Sequence, residues 1–198
     1  MPERPTPASP ARAASTADSG LVAISPDVLD RACRIRALVL DVDGVLTDGR
    51  MIYDEFGDEL KCFDVQDGTG LVLWHRAGYR SGIITGKKTK LTKRRARELG
   101  VGFLAQNALN KLVPFERFVK RERLTHEQIC AMGDDVLDLP LFRRAGLAVA
   151  VPNAVPDVKA ASHYVTTRCG GRGAVREAIE LILKAQGAWD AALKPYLI

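Results

Sequence analysis

Asp41-Val42-Asp43-Gly44-Val45-Leu46-Thr47 follows directly on the apolar run Ala37-Leu38-Val39-Leu40. An apolar run bounded by charge reads as a strand covered on both faces, so two carboxylates two residues apart stand at its exit. In open α/β sheets, ligands bind just beyond the carboxyl ends of the strands. Left alone, the two carboxylates would repel each other. A hard cation such as Mg²⁺, which gathers oxygen ligands from loop ends, removes the repulsion. That combination suits phosphoryl transfer. A plain turn would account for Asp43-Gly44, but not for Asp41, nor for the cluster Gly133-Asp134-Asp135 that follows a second strand-like run, Ile129-Cys130-Ala131-Met132. A calcium loop needs glycine at its sixth place and helices on both sides. Here glycine is fourth and a strand precedes.

The elements that carry these clusters alternate as a parallel sheet requires. After the first strand, residues 51–65 read as a hairpin turning at Phe56-Gly57, because β-formers flank the turn and no helical period crosses it. A helix over 69–77 and a strand over 81–85 follow. A helix over 89–99 stops at Gly100, where a left-handed residue commonly ends a helix, and a strand covers 101–105. Pro114 falls in the first turn of the next helix, whose apolar side is Leu112, Phe115 and Val119. Strands over 129–132 and 147–151 and a closing helix over 174–185 complete a three-layer, doubly wound, mostly parallel sheet. Residues 27–188 form this one domain, which suits a chain of 198 residues.

Residues 1–26 mix Pro2, Pro5, Pro7 and Pro10 with Ala, Ser and Thr and show no hydrophobic period, the composition of a disordered arm. They contain no apolar core of a signal peptide, and nothing later reaches the roughly 20 apolar residues of a membrane span. A cytoplasmic protein with no membrane partner is expected. Cys33, Cys62, Cys130 and Cys169 are scattered without a zinc-binding spacing, and His75, His126 and His163 are isolated. The net charge of +5 concentrates in Lys87, Lys88, Lys90, Lys93, Arg94, Arg95 and Arg97. No aromatic residue interleaves with them to stack on bases, so a solvated helix face is favoured over a nucleic-acid surface.

Phosphoryl transfer needs an in-line nucleophile, neutralisation of the phosphoryl oxygens and a proton for the leaving oxygen. Asp41 is the candidate nucleophile, forming a transient aspartyl phosphate. Asp43 is the candidate acid and base. Thr85, with a neighbouring backbone amide, would hydrogen-bond the phosphoryl group, and Lys111 would supply fixed positive charge. Asp134 would complete a Mg²⁺ site with Asp41 and the carbonyl of Asp43, with Asp135 and Asp138 behind it.

Asp41-Val-Asp-Gly-Val-Leu-Thr47, Thr85, Lys111 and Gly133-Asp-Asp-Val-Leu-Asp138 occur in the order of the four motifs of the haloacid dehalogenase superfamily, which the chain resembles. Phe63-Asp-Val-Gln-Asp-Gly68, Ile83-Ile-Thr-Gly86 and Gly170-Gly-Arg-Gly-Ala-Val-Arg-Glu177 extend the resemblance, over about residues 35–187, to its capless phosphatases of 3-deoxy-D-manno-octulosonate 8-phosphate. The resemblance implies a Mg²⁺-dependent phosphatase in lipopolysaccharide synthesis, with Asp67, Gly68, Gly86, Lys87 and Arg172 near the sugar acid. It also implies a homotetramer assembled through the hairpin, in which the tail over 189–198, ending Lys194-Pro195-Tyr196, reaches a neighbour's site. Two positions depart from the family pattern: Lys87 stands where arginine is common, and Asn107 where glycine is expected. The spacing between motifs leaves no room for a cap domain. A phosphatase of nine-carbon sialic or ketodeoxynonulosonic acid 9-phosphates shares the motifs. A receiver-type signalling switch does not share their order, and a basic nucleic-acid-binding module would ignore the acids.

Overall fold

The computed structural model describes residues 24–197. The expected arm falls almost wholly outside them, but its last residues, Ser25 and Pro26, open a helix that the sequence reading did not anticipate, α1 (Pro26–Arg34). The Ser25 hydroxyl accepts the Val28 amide at 3.3 Å, and proline at the first helical position has no amide of its own to satisfy.

The chain continues through β1 (Ala37–Leu40), a hairpin of β2 (Ile52–Tyr53) and β3 (Glu59–Leu60), α2 (Val65–Arg76), β4 (Arg80–Ile84), α3 (Lys90–Glu98) and β5 (Phe103–Ala105). Then come α4 (Leu112–Glu122), β6 (Ile129–Gly133), α5 (Leu139–Phe142), β7 (Leu147–Ala150), α6 (Pro156–Ala160), β8 (Tyr164–Val165), α7 (Ala174–Ala185) and α8 (Trp189–Leu193). The main sheet is ordered β5-β4-β1-β6-β7-β8 with every pairing parallel. The chain winds outward from β1 in one direction, then crosses it and winds the other way. The switch point therefore lies at the carboxyl end of β1, where such folds bind ligands. Leu40 sits opposite Ile83 of β4 and Met132 of β6, so the residues after these three strands emerge at one edge.

β1, β6 and β7 are buried along their whole length, as strands covered on both faces must be. Trp74, Phe115 and Phe118 are among the largest fully buried side chains, and Trp74 satisfies its indole N–H on the Arg80 carbonyl at 2.7 Å. The long elements fall where periodicity placed them. α2 begins four residues early, at a cap in which the Asp64 carboxylate accepts the Gln66 amide at 2.5 Å. Gly68 and Gly70 disguise that start, since paired glycines read as a break. α5, α6, α8 and β8 span two to five residues each, too short for a period to show. The expected tail is thus folded: α8 is followed by a single 3-10 turn at Lys194–Tyr196.

Asn107 has φ +56°. The position requires the left-handed region, which glycine enters freely and asparagine tolerates best of the remaining residues. The departure from glycine there preserves the turn.

Candidate active site

Asp41, Asp43, Gly49, Thr85, Gly86, Lys87, Lys111, Asp134, Asp135 and Leu137 line one open cavity of about 260 Å³ at the switch point. Each arrives by a short route from a strand. Asp41 continues β1, its amide donating to the Met132 carbonyl at 3.1 Å. Thr85 follows β4, its amide donating to the Ala105 carbonyl at 3.0 Å. Asp134 follows β6 directly.

Lys111 is the buried cation of the site, its side chain 2% exposed, with Asp41 Oδ2 at 2.9 Å and Asp138 Oδ1 at 2.7 Å. Burial favours its neutral amine, but the two carboxylates override this and raise its affinity for the proton. The other oxygen of Asp138 accepts the Asp134 amide at 3.1 Å. Asp138 therefore turns the acidic loop and holds Lys111 at once. Asp135 accepts the Val136 amide at 2.7 Å and caps the 3-10 turn that follows.

Three acids surround this one lysine. Asp41, Asp134 and Asp138 each bring a carboxylate oxygen within 4.8 Å of the others. Since Asp138 is engaged by Lys111 and a backbone amide, Asp41 and Asp134 are left to face each other. Asp41 Oδ1 is buried without a hydrogen-bond partner. Burial, and then the charge of Asp138, push the Asp41 carboxyl up to about 6 against the pull of Lys111. Burial, and then Asp41 and Asp138, push Asp134 up to about 7. An orphaned carboxylate oxygen beside a second acid, in an all-oxygen donor set, fits a hard divalent cation such as Mg²⁺. The backbone is shaped for this pair: Gly44 has φ +91°, and a Cβ there would lie 1.9 Å from Asp134 Oδ2.

The loop carrying Asp43 is held from far along the chain. Asn153 donates to the Gly44 carbonyl at 2.9 Å and accepts the Gly170 amide at 2.8 Å, and the Gly171 amide donates to Val45 at 2.9 Å. The glycine segment over 170–173 thus supports the loop that carries Asp41 and Asp43. Sequence reasoning missed Asn153, and nothing in its local sequence marks it. It also missed Lys61 and Glu59. Lys61, on the hairpin, donates to Asp43 Oδ1 and lies 3.1 Å from Glu59 Oε1, which also accepts Lys87 at 3.1 Å.

Three residues expected near the substrate, Asp67, Gly68 and Arg172, are not among those that line this cavity. Asp67 is 1% exposed and caps the start of α7, accepting the amides of Arg176 at 2.8 Å and Gly173 at 3.3 Å; burial raises its carboxyl to about 6. Gly68 admits the Arg95 guanidinium, 2.6 Å from where a Cβ would stand. Arg172 is exposed outside the cavity lining, where its charge assists that of Arg50 in keeping the Asp48 carboxyl low. The end of the tail also docks on its own chain: the Tyr196 hydroxyl accepts Arg76 at 2.7 Å, and its ring lies 5.1 Å from that guanidinium.

Comparison with known proteins converges on one group. Residues 83–179 match the family model described as haloacid dehalogenase-like hydrolase. The 3-deoxy-D-manno-octulosonate 8-phosphate phosphatase KdsC of Salmonella typhimurium is 43% identical over 169 residues, 85% of this chain and 90% of that protein. The crystal structure of a probable YrbI family phosphatase from Pseudomonas syringae superposes with a TM-score of 0.85 at 44% identity, covering 88% of this chain and 99% of the other. The 3-deoxy-D-manno-octulosonate 8-phosphate phosphatase of Moraxella catarrhalis, solved with magnesium ion, phosphate ion and KDO, superposes with a TM-score of 0.83 at 40% identity, covering 86% and 98%.

Proposed function

The chain belongs to the 3-deoxy-D-manno-octulosonate 8-phosphate phosphatases among the haloacid dehalogenase-like hydrolases, and from that membership we propose that its cavity performs their reaction through the residues gathered there. The protein is a Mg²⁺-dependent phosphoric monoester hydrolase that converts 3-deoxy-D-manno-octulosonate 8-phosphate to the free sugar acid and phosphate, a step of lipopolysaccharide synthesis. The observation that carries the reading is the convergence of Asp41, Asp43, Thr85, Lys111 and Asp134 on one cavity.

Asp41 attacks phosphorus with a carboxylate oxygen, and the bond from phosphorus to the sugar oxygen breaks. Asp43 gives its proton to that departing oxygen. Water then attacks phosphorus, Asp43 takes the proton from it, and the bond to Asp41 breaks. Thr85 donates its hydroxyl hydrogen to the phosphoryl group, and Lys111 places fixed charge beside the nucleophile. Asp41, Asp134 and the Asp43 carbonyl would hold Mg²⁺, which supplies neutralisation of the phosphoryl oxygens. Gly86 and Lys87, at the mouth, meet the anionic sugar acid.

The reading includes a homotetramer built through the hairpin. Met51, Tyr53, Phe56 and Leu60 are exposed there, and a neighbouring copy would both cover them and close the open cavity. It places the protein in the cytoplasm, in keeping with four unpaired cysteines. Sedimentation tests the assembly: a monomer at micromolar concentration would refute it.

The activity is tested by phosphate release from sugar-acid phosphates of eight and nine carbons and from simple esters, with Mg²⁺ and with chelator, using Asp41→Asn as control. Mg²⁺-dependent preference for the eight-carbon substrate is expected. Preference for a nine-carbon acid would move the pathway, and release by Asp41→Asn would refute the nucleophile.

A further inference from the structure

Lys61 is an ionised group at the site that the reaction above does not use. It sits one residue past β3, its side chain is 2% exposed, and it is not among the residues lining the cavity. Its ammonium donates to Oδ1 of Asp43. On its other side stands Glu59 Oε1 at 3.1 Å, and the same oxygen accepts Lys87 at 3.1 Å. Four groups, Asp43, Lys61, Glu59 and Lys87, therefore form a chain of alternating sign whose two ends line the cavity.

We propose that Lys61 is a positioning residue for Asp43: by holding one carboxyl oxygen from behind, it aims the other at the oxygen that leaves the substrate. The inference rests on the assignment of Asp43 as acid and base. An acid of this kind acts only within hydrogen-bond reach of the atom it protonates, yet Asp43 stands on a loop with its side chain 25% exposed and two rotatable bonds to settle. A buried ammonium that is itself fixed by Glu59 removes that freedom. Lys61 does this from outside the residues that line the cavity, its ammonium held between Asp43 and Glu59. The hairpin thus sets the geometry of proton transfer as well as carrying the apolar residues of the proposed interface.

The test uses the full-length protein with saturating Mg²⁺ and compares kcat/KM for 3-deoxy-D-manno-octulosonate 8-phosphate and for p-nitrophenyl phosphate. The ratio kcat/KM covers the steps up to departure of the alcohol. A sugar alkoxide needs a proton at that moment; nitrophenolate leaves without one. Lys61→Met should lower kcat/KM for the sugar ester by at least about tenfold through kcat, a part of the roughly 10²–10⁴ that a general acid contributes, while changing the nitrophenyl ester by less than about threefold. Lys61→Arg should recover most of the loss, and in an Asp43→Asn background Lys61→Met should add nothing. An equal fall on both esters, a fall confined to KM, no fall at all, or an additive effect in the double variant would each overturn the proposal. If Asp43→Asn alone failed to distinguish the two esters, the proposal would fall with the role of Asp43, and that control identifies the failing step.

Discussion

Replacing Asp41, the proposed nucleophile, should make the metal-free protein more stable. Burial moves the Asp41 carboxyl from its ordinary 3.8 to about 6 even after the attraction of Lys111. At about 1.4 kcal/mol for each tenfold change in proton affinity, ionised Asp41 costs the folded state about 3 kcal/mol at neutral pH. The sign follows from proton counts. Between pH 3.8 and 6 the folded chain binds the proton more tightly than the unfolded chain, so stability falls as pH rises through that window. The cost is complete above it and absent below it. Asp41→Asn removes the charge, keeps an oxygen for Lys111, and relieves Asp134, whose proton affinity Asp41 also raises. In a domain of this size, about 3 kcal/mol corresponds to roughly 6–12 °C in Tm. Urea unfolding of both proteins in chelator, at pH 7.5 and at pH 4, should show the variant ahead by about 3 kcal/mol at the higher pH and the gap mostly closed at the lower. The variant should hydrolyse nothing. Equal or lower stability of Asp41→Asn at pH 7.5 would refute the account of the site as a cluster of acids awaiting a cation.

Mg²⁺ must displace the protons that Asp41 and Asp134 bind in the metal-free state, so its affinity should climb between about pH 5 and 7 and level off above. Calorimetry in two buffers of different ionisation enthalpy would detect the proton release, and a flat profile would contradict it. Asn153→Ala deletes two hydrogen bonds and leaves a carbonyl and an amide of two loops unpaired. A loss of about 1–3 kcal/mol in urea unfolding is expected, together with lower kcat. Deleting residues after Ala188 strips Trp189 from its contacts with Arg176 and Lys184, and Tyr196 from Arg76. The expected result is a Tm lowered by several degrees, the loss of about 1–2 kcal/mol from cation–π and hydrogen-bond contacts; an unchanged Tm would contradict that docking.

The layers, the doubly wound parallel sheet and the acids at its strand exits were legible because each rests on a local rule. Apolar runs mark buried strands, and acids at their exits mark the edge that binds ligands. That Asp41, Asp43, Thr85, Lys111 and Asp134 would meet in one cavity followed from their spacing and order at the strand exits. What escaped had no local signature. The Ser25-Pro26-Asp27 start signal of α1 was absorbed into the proline-rich composition before it. Asp67 and Gly68 sit in a motif whose local spacing does not show that one caps α7 and the other makes room for Arg95. Asn153 and Lys61 matter through contacts 109 and 18 residues away along the chain, and a single sequence carries no record of either.

The clamp on the nucleophile loop also orders events during synthesis. Asp41 leaves the ribosome early, but the groups that fix its loop, Asn153, Gly170 and Gly171, emerge more than a hundred residues later, and Lys111 and Asp138 arrive between them. A nascent chain holding β1, β4 and β5 has Asp41, the proposed nucleophile, without its frame. Closing so long a loop is an entropic step that later contacts must reward. Phosphatase competence is therefore acquired last, when the carboxyl-terminal third docks, and a chain stalled before β7 would display its acids without being able to use them.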